Sequence, residues 1–224
     1  MEMPLMGINT YCLNKKGKPM NRYNILRLEA DKDWSGLPVL QLNNRYLQTT
    51  DEVHAYAQIG HREDALLVHM WIDVAYIRAE ENGRLGMPCL DSCLEFFFQP
   101  VPGDPRYINM EFNFNGCMFL GIGSCIQNVI RLLPESDPTA IFCPDIRRTP
   151  TGWEIFYQIP YAFIRRLFPG FEATAGLEIR ANCYTCSELS PKPYSLSWNL
   201  VQPKDDEPLT FHCTRCFGSM ILTP

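Results

Sequence analysis

An all-β fold, an antiparallel β-sandwich with one short helix, is predicted by three features of this 224-residue sequence. Apolar and polar residues alternate with period two in stretch after stretch, the signature of strands with one buried face. The chain holds 18 prolines, where an ordinary composition would give about 11. They gather with Gly, Asp and Ser between the alternating stretches, where they suit turns and break helices. Only one segment carries both a helix start and a helix stop.

The elements follow in order. From Leu66 to Val74, Leu66, Val68, Met70, Ile72 and Val74 share one face, and Leu67, His69, Trp71 and Asp73 the other, so both faces carry apolar groups. Leu94, Phe96 and Phe98 oppose Cys93, Glu95, Phe97 and Gln99. From Tyr107 to Asn115 the alternation is most regular, with Ile108, Met110, Phe112 and Phe114 inward and Tyr107, Asn109, Glu111, Asn113 and Asn115 outward. Further strands are read at Met118 to Ile122, Trp153 to Ile159, Leu177 to Cys186, Ser195 to Leu200 and Phe217 to Leu222. The helix begins at Pro160 and runs from Tyr161 to Phe168, where Pro169-Gly170 ends it. Residues 131–152, with Pro134, Pro138, Pro144 and Pro150, read as a long surface excursion. Strands resume beyond it and no repeat or linker appears, so residues 1–224 are expected to form one domain.

Charge and composition narrow the function. Twenty basic against 25 acidic residues give a net charge of −5, and the basic ones come as isolated pairs, so no nucleic-acid partner is expected. No run of eighteen apolar residues offers a membrane span. The start, Met1-Glu2-Met3-Pro4-Leu5, lacks a basic segment followed by an apolar one, which predicts no secretory signal and a soluble, cytoplasmic protein. Ten cysteines in such a chain read as reduced thiols used as small hydrophobes.

Two CxxC pairs, Cys183/Cys186 and Cys213/Cys216, could bring four thiolates to zinc and make a zinc-stabilised interaction domain. Against this, positions three apart on a strand send Cys183 and Cys186 to opposite faces, so the expectation is no metal. A thioredoxin-like role lacks the helix that follows such a pair. Gly121-Ile-Gly123-Ser124 lacks the third glycine of a nucleotide fingerprint. Glu95 and Glu111, on strands that can be neighbours, could come within roughly 5–8 Å and serve glycoside hydrolysis. The outward row of Tyr107, Asn109, Glu111, Asn113 and Asn115 is also what a sugar-binding surface requires, since amides donate and accept and carboxylates accept strongly. Trp71, Trp153, Trp198, Tyr107 and Tyr184 could supply rings against which sugar C–H groups pack. Strand parity lets Glu95, Glu111, Asn113, Arg180 and Asn182 share the polar side of one sheet.

The order of motifs resembles the family 9-like carbohydrate-binding proteins. It comprises Gly60-His-Arg-Glu-Asp64, Asp91-Ser-Cys-Leu-Glu-Phe-Phe97, Tyr107-Ile-Asn-Met-Glu-Phe-Asn-Phe-Asn-Gly116, Trp153 to Pro160, Arg180-Ala-Asn-Cys-Tyr-Thr-Cys186, Ser197-Trp198, Phe211-His212 and Phe217-Gly218. The resemblance runs from about Trp34 to Leu222. It implies an immunoglobulin-like or jelly-roll sandwich, as in the modules attached to xylanases, which bind reducing ends of glucans and xylans without hydrolysis. It also implies a sugar held by tryptophan, acidic, amide and arginine groups, with calcium as a structural ion in some members and no other cofactor. Carried onto this chain, the expected sugar-binding residues are Glu95, Glu111, Asn113, Arg180, Asn182, Tyr184 and Trp198, with no catalytic residue. The sequence departs from the family in having Pro88-Cys89-Leu90 where a second tryptophan would stand before Asp91.

Overall fold

A computed structural model describes residues 20–29, 33–46, 49–50, 52–134, 137–204 and 207–224. The amino-terminal segment read above for a secretory signal lies outside them. The strands are β1 (Arg22–Arg27), β2 (Leu40–Leu42), β3 (Asn44–Tyr46), β4 (His54–His61), β5 (Ala65–Asp73), β6 (Cys93–Gln99), β7 (Tyr107–Asn113), β8 (Met118–Gly123), β9 (Ile130–Arg131), β10 (Asp145–Arg148), β11 (Gly152–Pro160), β12 (Glu178–Ser187), β13 (Tyr194–Ser197) and β14 (Gly218–Leu222). Helix α1 (Pro138–Phe142) precedes β10, and α2 (Tyr161–Leu167) follows β11. Among the described residues no helix is long and apolar enough to cross a membrane.

The strands form one curled sheet that doubles into two layers. The front layer runs β9-β8-β7-β6-β12, and the free edge of β12 is shared by β14 along its first half and β13 along its last. The back layer runs β10-β11-β5-β4. Strand β1 joins the layers at one side by pairing with both β14 and β4, and both pairings are parallel. The sandwich is therefore mixed rather than wholly antiparallel.

The expected alternation places the core. Leu66, Val68, Met70 and Ile72 of β5 face Leu94, Phe96, Phe98, Ile108, Met110 and Phe112 of the front layer, and all ten are buried in one apolar cluster. Trp153 is fully buried in it as well. The motif at residues 60–64 is the β4–β5 turn: Arg62 N–H bonds the Ala65 carbonyl at 2.9 Å, and its side chain reaches Asp64 and Gln158. Gly116, at φ +77°, closes the β7–β8 turn in a conformation that costs a side chain free energy.

The surface excursion contains more structure than its prolines suggest. Asp137 caps α1 through the Thr139 N–H at 2.9 Å, and β10 adds a polar edge to the back layer. Strand β4 also escapes a hydrophobicity reading, because its core positions include the small residues Ala55 and Ala57.

Candidate functional site

Register on the outer face of the front layer sets the site. Tyr184, Glu95, Glu111 and Phe119 lie opposite one another across β12, β6, β7 and β8, forming one row. The neighbouring rows are Cys186–Cys93–Asn113 and Asn182–Phe97–Asn109–Gly121. This face is not left to solvent. Residues 207–217 fold back across it as a strap, and Cys213, Cys216 and Phe217 pack with Phe97, Tyr107 and Tyr184 in a second apolar cluster, with Phe211 against its side.

Where the strap stops short, a cavity of about 500 Å³ remains. Glu95, Asn109, Glu111 and Cys186 contribute from the sheet, and Phe119, Phe211 and His212 also line it. Phe211 is braced by stacking on Tyr184, with ring centroids 4.2 Å apart. Phe119 is held beneath the Arg131 guanidinium at 4.8 Å. In the row just described, the two carboxylates thus stand between Phe119 and the Tyr184–Phe211 stack.

The electrostatics follow from burial. Glu95 is 2% exposed and Glu111 5%, and they sit directly opposite each other. Desolvation, then the neighbouring Glu111 charge, pushes Glu95 well above the usual carboxylate range. Desolvation likewise lifts Glu111 to about 7. The Cys186 thiol donates to Glu95 Oε1 at 3.0 Å, and Asn109 Nδ2 donates to Glu111 Oε1 at 2.9 Å. Glu111 Oε2 and Asn109 Oδ1 are buried without a hydrogen-bond partner. His212 Nδ1 shares a hydrogen bond with the Tyr107 hydroxyl. Burial lowers this imidazole to about 4, so it is neutral at pH 7.

Among the described residues, metal-ligand chemistry is present at one place. Cys93, Glu95 and Cys186 bring one ligand atom each within 4.8 Å of one another, a set of sulfur and oxygen donors that zinc accepts. Burial raises the Cys93 thiol, and a hydrogen bond with Cys93 together with burial raises Cys186, so both are protonated at neutral pH. The four CxxC cysteines do not meet. Cys183 belongs to the core between the layers, while Cys213 and Cys216 lie in the cluster under the strap.

Of the seven residues expected to bind sugar, Glu95 and Glu111 line the cavity. Tyr184 backs it, donating its hydroxyl to the Phe211 carbonyl at 3.0 Å. The structure places the other four elsewhere. Asn113 uses its amide to hold the 79–91 loop: Nδ2 donates to the Glu81 carbonyl and Asp91 Oδ2, and Oδ1 accepts from the N–H groups of Asn115 and Cys117. Arg180, at the far end of β12, donates to the Phe217 carbonyl at 2.6 Å. Asn182 Oδ1 accepts from the N–H groups of Cys183 and Asn199, and Nδ2 donates to the Asn199 carbonyl. Trp198 is 4% exposed within the main core, so its ring packs against protein rather than a ligand. Parity put these side chains on the correct face, but the strap and the surrounding loops decide which of them meet open space.

The family model for carbohydrate-binding family 9 matches residues 39–222. The chain belongs to that family. The crystal structure of a protein from Bacteroides uniformis described as a candidate carbohydrate-binding protein superposes with a TM-score of 0.73 at 22% identity, covering 91% of this chain and 99% of that one. A family 9 module from Caldicellulosiruptor kristjanssonii in complex with cellotriose superposes at 0.60 and 11% identity, covering 91% and 94%. The same organism's module in complex with glucose gives 0.60 and 12%, covering 91% and 96%. No curated protein matches the chain in sequence. At these identities the structural likeness establishes the sandwich fold.

Asn109, Phe119, Phe211, His212 and Cys186 line the cavity but were not selected from sequence as site residues. Asn109 had a signal, its place two residues before Glu111 on the polar row. Phe119 had one only through register, and Phe211 and His212 depend on a fold-back that no periodicity encodes.

Proposed function

We propose that this family 9 chain binds a glucan- or xylan-derived saccharide, without hydrolysing it, in the cavity between the front layer and the strap. The observation that carries the reading is the pair of unpartnered buried acceptors, Glu111 Oε2 and Asn109 Oδ1, beside Phe119 and Phe211. Buried acceptors need donors, and a sugar presents hydroxyl donors around an apolar ring face that packs on aromatics. A volume of about 500 Å³ is that of a small-ligand site rather than of a long open groove. Neutral His212 lines the wall as well, held there by the hydrogen bond between its Nδ1 and the Tyr107 hydroxyl.

Titration calorimetry with cellobiose and xylobiose, and with each sugar reduced to its alditol, tests the reading. Binding of the free sugar is expected, with the alditol weaker if the ring at the reducing end is what the cavity receives. Absence of binding to any of the four overturns it. Parallel measurement of sugar release separates binding from chemistry: release that disappears in Glu95→Gln would make the protein a glycoside hydrolase.

A further inference from the structure

The two CxxC pairs share a spacing but not a backbone. Cys183 and Cys186 sit on extended β12 and face opposite sides of the sheet. At Cys213 the chain instead bends into a 3-10 turn, Thr214–Cys216, closed by the Cys216 N–H on the Cys213 carbonyl at 2.9 Å. The turn brings both side chains to one side, and the two sulfur atoms stand 2.9 Å apart. A disulfide needs about 2.0 Å, so the bond can form with almost no movement of the backbone. Among the described cysteines the structure shows no other sulfur–sulfur hydrogen bond this short.

We propose that Cys213 and Cys216 are a reversible dithiol–disulfide couple that exchanges with low-molecular-weight disulfides such as glutathione disulfide. Cys216 is the attacking group. Its thiolate is favoured by the hydrogen bond from the Cys213 thiol and by the positive charges of Arg215 and Arg180, while the same hydrogen bond holds Cys213 protonated. Arg215 is fixed beside the turn by Glu207 Oε2 at 2.7 Å and the Gln202 carbonyl at 3.0 Å. A cavity of about 140 Å³ lined by Gln202, Glu207, Cys213 and Arg215 lies against the turn on its Cys213 side.

The exchange balances in two steps. The Cys216 thiolate attacks one sulfur of glutathione disulfide, forming a mixed disulfide and releasing one glutathione thiolate. Cys213 then loses its proton to that thiolate and attacks Cys216 Sγ, forming the intramolecular bond and releasing the second glutathione. The protein dithiol is oxidised and one glutathione disulfide is reduced to two thiols. The oxidised form cross-links the turn that directly follows Phe211 and His212, so it pins the carboxy-terminal end of the strap. The couple rests on the turn and not on what fills the larger cavity.

Equilibration of the folded protein in glutathione buffers of graded ratio, followed by acid quench, alkylation and peptide mass mapping, tests the proposal. The peptide holding residues 213 and 216 is expected to lose two hydrogens and resist alkylation, while Cys93, Cys183 and Cys186 are alkylated after denaturation as free thiols. In Cys213→Ser, Cys216 is expected to accumulate as the glutathione adduct, at least about tenfold more than Cys213 does in Cys216→Ser. A 213–216 peptide that stays fully reduced in an oxidising buffer overturns the couple, as does a bridge that forms at Cys93 and Cys186 instead. Equal adduct at both sites in the two variants overturns the assignment of Cys216 as nucleophile. The wild-type mapping decides the main claim even if a serine variant does not fold.

Discussion

Glu111 is buried against a second carboxylate with one oxygen unpaired, an arrangement that costs stability and that a donor from a bound saccharide would relieve. Glu111→Gln keeps the shape and removes the charge. It is expected to weaken saccharide binding about 10- to 100-fold, the equivalent of roughly 1.5–3 kcal/mol for a hydrogen bond to a charged group. At pH 8 the same variant is expected to melt higher than the wild type, because it relieves a desolvated charge. Calorimetry and thermal melts check both halves, and a variant that binds normally would move the site away from residue 111. Trp198 gives the contrasting case. Its ring is part of the core, so Trp198→Ala should cost roughly 3–5 kcal/mol in denaturant unfolding. Whatever fraction folds should still bind sugar. At this scale the sequence was legible where a side chain's face decides its role: the alternation from Tyr107 to Asn115 put Glu111 on the polar side and Met110 in the core. It was not legible for Trp198, one residue past the end of β13, because a ring at a strand end has the same local pattern whether its neighbours are protein or ligand.

Strand β12 serves two partners on one edge, β14 up to Ala181 and β13 from Tyr184 onward. Between them the ladder is interrupted, and Asn182 fills the gap with its side chain, bonding both the N–H and the carbonyl of Asn199. A side-chain amide here does the work of a backbone pair. Asn182→Ala would leave the buried N–H of Asn199 unsatisfied, while the Asn199 carbonyl keeps the Ser197 hydroxyl at 2.6 Å, so the loss should be about 1–3 kcal/mol. Amide exchange at Asn199 should accelerate more than that at residues of β7, whereas a uniform acceleration would show that Asn182 matters only through global stability. The elements themselves were read unevenly. Strands β5 to β8 were visible because each alternates over seven residues or so with large apolar side chains. Strand β1 was not read, although Tyr23 and Ile25 face the core, because only two of its six residues are buried. The strap has no alternation at all. Its position depends on tertiary packing of Phe211 and Phe217 on Tyr184 and Tyr107, at distances along the chain that a local pattern cannot report.

The whole molecule carries two opposed sets of buried titrating groups, and pH separates them. Glu95 and Glu111 are raised by burial, so between about pH 4.5 and 7 the folded state holds more protons than the unfolded chain. Their contribution is fully present below the ordinary carboxylate range and is lost as pH rises through the window. His61, His69 and His212 are lowered by desolvation, His212 to about 4. The unfolded chain takes up protons at these positions below about pH 6.5 while the folded state does not, so their contribution is lost as pH falls from there. The two sets oppose each other across the same range, and the wild-type melting temperature should change little between pH 7 and 5. Removing one set exposes the other. The melting temperature of Glu111→Gln should exceed that of the wild type at pH 8, and the gap should close as pH falls to about 4.5, where Glu111 is protonated in both states. Since about 1 kcal/mol moves the midpoint by roughly 2–4 °C in a chain of this size, the gap is measurable. His212→Gln should tilt the profile the other way, with less loss of stability on the acid side. A gap for Glu111→Gln that stays constant from pH 8 to 4.5 would show that the substitution acts through packing and that the carboxylate pair does not titrate in the folded protein.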